Sequence, residues 1–79
     1  MSKFNLYEVG GDWNVAKGVL ISTHKTQEAA RRRMMTEAKK RVPKVYYYRY
    51  NLIADNITII DFGSYTKFLS IEEVKDELY

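Results

Sequence analysis

The sequence predicts an α+β protein, a two-layer sandwich in which one helix packs on a mainly antiparallel sheet in the order β-β-α-β-β, with a further C-terminal strand left open. Only residues 26–42 show apolar side chains at helical spacing. The segments on both sides are rich in Val, Ile, Tyr and Phe and are separated by turn residues. Two hairpins flanking one helix favour this architecture. A chain of 79 residues is expected to form a single domain, residues 1–79, with one modest core.

The first predicted hairpin joins a strand over residues 3–9 to a strand over residues 15–22. Its turn contains Gly10-Gly11-Asp12, residues that favour tight reversals of the chain. Gly18 weakens the middle of the second strand and indicates a bulge. Trp13, at the loop between the strands, is expected to cover one end of the core.

The predicted helix has start and stop signals at both ends. Thr26 is a suitable N-cap, because its hydroxyl can accept a bond from an unpaired N–H of the first turn. Pro43 ends the helix, because it disfavours helical angles at the preceding residue. One face carries the apolar stripe that is expected to lie on the sheet, formed by Ala30, Met34, Ala38 and Val42.

The second half of the chain predicts a long strand over residues 44–53 and another over residues 56–62, with a turn between them. Residues 67–71 are expected to form a short fifth strand at an edge of the sheet. Residues 72–79 are acidic and are expected to form one or two helical turns or to fray.

The strand over residues 44–53 is unusually rich in tyrosine. Tyr46, Tyr48 and Tyr50 alternate onto one face. One helix covers one face of a sheet, so at least one tyrosine of this strand is left facing away from it, and these three form a candidate interaction surface. Three interpretations are open: a half-buried sheet face, a homodimer contact, or a stacking platform for single-stranded nucleic acid.

The net charge of +3 is unevenly distributed, because residues 1–50 carry +7 and residues 51–79 carry −4. The helix face opposite the apolar stripe is basic, which is typical of a solvated face, a phosphate-binding face or a surface for an acidic protein. This face is expected to point away from the open face of the sheet, so that helix and tyrosines act separately. The candidate phosphate contacts are Lys25, Arg32, Arg33, Lys39 and Lys40.

The composition argues against an enzyme. The chain has no Cys and a single His, His24, so neither a metal site nor a nucleophile–base pair is indicated, and no cofactor is expected. Nothing in the sequence spacing brings two carboxylates together. No apolar run approaches the ~20 residues needed to span a membrane, and the N-terminus lacks the apolar core of a signal peptide. A cytoplasmic location is therefore expected.

Two short motifs resemble those of small uncharacterised proteins from phages and mobile elements of Gram-positive bacteria. One is the helix start Thr26-Gln27-Glu28-Ala29, and the other is Asp61-Phe62-Gly63-Ser64-Tyr65, within the wider segment 55–71. The resemblance implies no activity. It implies a mobile-element accessory protein, for which regulation or interaction with host components would be ordinary roles.

Together these features predict a small non-enzymatic binding protein whose basic helix contacts nucleic acid. The alternative is a protein-interaction or homodimerisation module that uses the tyrosine-rich sheet face or the acidic C-terminal tail.

Overall fold

A computed structural model describes residues 2–75. The elements, in chain order, are β1 (Ser2–Gly10), a 3-10 turn (Val15–Lys17), β2 (Val19–His24), α1 (Gln27–Arg41), β3 (Arg49–Ala54), β4 (Ile57–Asp61) and β5 (Lys67–Lys75). The strands form one antiparallel sheet in the spatial order β2-β1-β5-β4-β3, with α1 against one face. The broad prediction of an α+β fold with one helix and an antiparallel sheet is confirmed.

Strand β5 lies at the centre of the sheet, so the prediction of a short edge strand over residues 67–71 is wrong. It runs for nine residues and pairs with β1 on one side and β4 on the other. The helical or frayed conformation expected for residues 72–79 is also wrong for residues 72–75, because β1 pairs with them as part of the sheet. Residues 76–79 lie outside the described part of the chain.

The helix is capped at both ends as its sequence predicts. Thr26 has extended backbone angles, and its Oγ1 accepts a hydrogen bond of 3.1 Å from the backbone N–H of Ala29. At the other end, the Val42 N–H donates to the carbonyl of Ala38 at 2.9 Å. Both ends of the helical segment are therefore set by local residues.

Two predicted strands start later than the sequence pattern indicates. Residues 15–17 form the 3-10 turn instead of a strand, and β2 begins only after Gly18. A Cβ atom at Gly18 would lie 3.0 Å from the carbonyl oxygen of Val15, so the close approach of the backbone favours glycine there. Strand β3 begins at Arg49, because its partner β4 ends at Asp61, the residue that pairs with Arg49.

The core lies between α1 and one face of the sheet. The helix contributes Ala30, Met34 and Ala38, all fully buried, and packs over β1, β2 and β5. The sheet side of this core is formed by Leu6, Ile60, Phe62, Leu69 and Ile71. The predicted apolar stripe of the helix therefore faces the sheet.

A smaller buried layer lies on the opposite face of the sheet. Val9 and Ile59 are buried there, and the ring of Trp13 packs edge-to-face on Phe68 with centroids 5.6 Å apart. Ser70, in central strand β5, is also fully buried, and its Oγ has no hydrogen-bond partner among residues 2–75. A buried hydroxyl without a partner opposes folding.

We expect Ser70→Ala to raise the free energy of unfolding by about 1 kcal/mol, because it removes an unpaired buried polar atom and leaves little empty volume. Urea titration followed by circular dichroism measures the change. Ser22→Ala is the matched control, because the Ser22 Oγ lies 2.7 Å from His24 Nε2; it should gain nothing. A loss of stability in Ser70→Ala would contradict this assignment of the Ser70 hydroxyl.

Candidate interaction surface

Of the two edge strands, β2 and β3, the helix leaves β3 uncovered. We define the β3 edge patch as the exposed apolar and aromatic side chains on β3 and on the segment that leads into it: Tyr46, Tyr47, Tyr50, Leu52 and Ile53. Leu52 is 69% exposed although it lies on the helix side of the sheet. Because α1 packs over β1, β2 and β5, it does not shield Leu52. Several exposed apolar side chains grouped at one edge of a sheet are typical of an interaction site.

Cationic side chains lie over three tyrosine rings of this patch. The guanidinium carbon of Arg31 is 4.9 Å from the centre of the Tyr50 ring. The other two pairs are Lys44 Nζ over Tyr46 at 5.5 Å and Arg49 Cζ over Tyr47 at 5.7 Å. These are cation–π distances. The patch is therefore both aromatic and positively charged.

Arg31 connects the helix to the tyrosines. It lies outside the five residues predicted as phosphate contacts, and its side chain extends from α1 to Tyr50. The contact arises because Tyr50 points to the helix side of the sheet, beyond the strands that the helix covers. The flank of the helix and the β3 edge therefore form one continuous surface.

The three tyrosines predicted as an interaction surface have different environments. Tyr46 is 80% exposed, and Tyr50 is partly exposed beneath Arg31. Tyr48 instead packs against the buried core beside Val45 and Val42. The side chains do not alternate between the two faces of the sheet from Tyr46 onwards, because residues 43–48 are not part of a regular strand.

A narrow cleft of about 130 Å³ separates the start of α1 from the β3–β4 hairpin. Gln27 lines it from the helix, Leu52 from β3 and Asn56 from the hairpin turn. Small-molecule sites usually enclose ~300–1,000 Å³. Within the described residues, this cleft suits a side chain better than a metabolite.

The basic helix face is partly neutralised by acidic residues on the same helix. Arg32, one of the predicted phosphate contacts, pairs with Glu28 at 2.5 Å. Arg33 and Lys40 pair with Glu37 at 2.9 and 3.0 Å. Lys25 and Lys39 form no ion pair among residues 2–75. Three of the five predicted phosphate contacts therefore already have an acidic partner.

Glu37 is the residue that the sequence interpretation missed. It is almost fully buried and receives hydrogen bonds from Arg33, Arg41 and Lys40, in that order of effect, which lower the pKa of its carboxyl group to about 2. Its spacing from these cations, three or four residues along the helix, was a signal that could have identified it.

Arg41 links this cluster to the sheet. Its Nε donates to Glu8 on β1 at 2.6 Å, and its Nη1 donates to Glu37 Oε1 at 3.0 Å. Burial lowers the pKa of Arg41, but the bonds to Glu8 and Glu37 outweigh that effect and raise the pKa above its usual value. The ion pairs therefore fix the end of α1 against β1.

Two further carboxylates each accept a hydrogen bond from the backbone. Asp12 Oδ1 accepts from the Asn14 N–H, and Asp61 Oδ1 accepts from the Gly63 N–H. Across residues 2–75, no three His, Asp or Glu side chains lie close enough together to hold a metal ion. No helix in the same range is long and apolar enough to cross a membrane.

Comparisons with models of protein families, with characterised proteins and with solved structures gave no match to this chain.

The Glu37 cluster predicts a stability that depends on pH. Because folding lowers the Glu37 pKa from 4.5 to about 2, its contribution is present above pH 4.5 and is lost as the pH falls towards 2. We expect Glu37→Gln to lower the free energy of unfolding at pH 7 by about 1–2 kcal/mol, since solvent screens the exposed Arg33 and Lys40. Urea titrations at several pH values measure this.

Glu28→Gln provides the control on the same helix. Both members of its pair with Arg32 are about three-quarters exposed, and exposed pairs of this spacing contribute only ~0.3–0.5 kcal/mol. Equal losses in the two variants, or a Glu37→Gln loss that persists unchanged at pH 2, would contradict the assigned role of Glu37.

Proposed function

We propose that this chain is a non-enzymatic protein-interaction module whose docking surface is the β3 edge patch. One observation carries the proposal: α1 covers β1, β2 and β5, and the outer strand keeps large apolar side chains exposed. The composition of the patch agrees with it. Tyrosine and arginine are enriched at protein interfaces, whereas the acidic residues and lysine are depleted there.

The strand itself supports this function. Natural edge strands are commonly protected by inward-pointing charges, lysine or proline. Between Tyr50 and Ile53, β3 has no charged residue and no proline. An added strand could bond to the outer backbone groups of β3 while its side chains fill the space beside Leu52.

A peptide selection tests this docking surface and does not require that the partner be identified first. Random peptides displayed on phage are selected on the immobilised full chain and then measured for binding in solution by fluorescence anisotropy. We expect peptides with Kd values in the micromolar range whose binding is lost in Leu52→Lys, because the lysine places a charge in the apolar patch.

Leu20→Lys is the matched control, because Leu20 is an exposed leucine on β2, the opposite edge of the sheet. Binding should survive this change. Peptides that bind both variants and the unmodified chain equally would contradict a docking surface at β3.

Nucleic acid is a second candidate, supported by the three cation–tyrosine pairs of the patch. Rings beside cations suit single-stranded nucleic acid, whose bases stack on aromatic side chains while phosphates contact the cations. The helix face alone would instead favour duplex, through Lys25 and Lys39. The mobile-element resemblance is compatible with either function and does not decide between them.

Titration of labelled single-stranded and duplex DNA at several salt concentrations tests the nucleic-acid candidate. If Arg31, Lys44 and Arg49 neutralise phosphates, single strands should bind more tightly, with a slope of log K against log salt of roughly −2. Arg49→Glu should weaken this binding more than Lys39→Glu does. Absence of binding at micromolar protein and low salt would exclude the candidate.

A further inference from the structure

We propose that the partner of the β3 edge patch is a second copy of this chain, paired antiparallel through β3 about a twofold axis at Asn51. This inference rests on the proposed function and adds the identity and register of the partner. Symmetric dimers are the commonest oligomers, and they require a surface that is complementary to itself.

Symmetry fixes which residues meet. An antiparallel pair of identical strands has its twofold axis perpendicular to the sheet, so the two helices lie on the same face of the combined sheet. With the axis at Asn51, Tyr50 of each copy lies opposite Leu52 of the other. Both residues are on the helix side, since Tyr50 contacts Arg31 and Leu52 lines the cleft beside Gln27.

This pairing covers the strip that the helix leaves open. An aromatic ring opposite an aliphatic side chain is a favourable cross-strand pair, and the axis generates it twice. The two Asn51 side chains meet on the axis, where one amide can donate to the other. Tyr50 and Leu52 of both copies are therefore buried against each other.

The register keeps the two Arg49 side chains apart. Arg49 lies two residues from the axis, so it faces the end of the partner's strand, near Ile53 and Ala54, and not the partner's Arg49. The bulge at Ile53, where the β3–β4 register shifts, marks the end of the regular pairing. The contact is short, and short contacts form weak dimers with Kd values in the micromolar range.

The opposite edge is less suited to the same arrangement. Strand β2 also exposes Val19 and Leu20. Pairing β2 with a copy about Ile21 would bring Lys17 towards Lys25 of the partner. Two like charges facing each other oppose that contact.

Because the sequence contains no cysteine, a single introduced cysteine can report which residues meet across the axis. In Asn51→Cys, the two new thiols would lie on the axis, with Cα atoms ~4.5–5.5 Å apart, which is within the range that a disulfide spans. In Ile53→Cys, the matched control, the thiols would be offset by four residues, or about 13 Å, along the strands. Mild oxidation and a non-reducing gel measure covalent dimer.

We expect the wild-type mass from light scattering to double as the concentration rises, and Asn51→Cys to form covalent dimer while Ile53→Cys forms none. Circular dichroism checks that both variants fold. Equal cross-linking of the two variants would overturn the register, as would a dimer that cross-links at neither site but does so in Leu20→Cys.

A wild-type chain that stays monomeric at every concentration would overturn the second copy as partner. That outcome is distinguishable from failure of the proposed function, because the peptide selection measures the docking surface independently of self-association. Peptides that lose binding in Leu52→Lys, together with a strictly monomeric chain, would leave the surface in place and assign it to a different protein.

Discussion

The mismatch in width between one helix and a five-stranded sheet determines most of this structure. Strands spaced ~4.8 Å apart spread five strands over roughly 19 Å, whereas a helix with its side chains is only about 10–12 Å wide. One helix can therefore cover about half of one face. In this fold α1 lies over β1, β2 and β5, and Tyr50 and Leu52 are exposed on the edge strand β3.

The position of the helix is fixed by more than apolar packing. Met34 and its neighbours supply the burial, but small residues such as Ala30 and Ala38 give little directional preference. Arg41 adds that preference, because it bonds both Glu8 on β1 and Glu37 on its own helix. Buried ion pairs are often weak contributors to stability, but they can specify one arrangement over others. We infer that this cluster anchors α1 over the β1 side of the sheet.

Local residues allowed the helix, its caps and the broad fold class to be predicted. Thr26 and Pro43 act on their immediate neighbours, so their effects are readable from the sequence. The central position of β5 could not be predicted from the sequence. Its acidic residues Glu72 and Glu73 are typical of a polar tail, and only their pairing with β1 identifies them as part of a strand. Strand order depends on contacts between residues far apart in the chain, and periodicity carries no information about them.

The candidate site was also predicted only in part. Tyr46 and Tyr50 belong to the patch, whereas Tyr48 packs on the core, because the chain becomes a regular strand only at Arg49.

Association through the strand that the helix leaves uncovered is the idea on which both proposals depend. Amide hydrogen exchange, measured residue by residue at low and high protein concentration, is the decisive measurement. We expect slower exchange at residues 50–52 as the concentration rises, with exchange in β2 unchanged. Exchange in β3 that is independent of concentration, or a slowing confined to β2, would contradict self-association through β3.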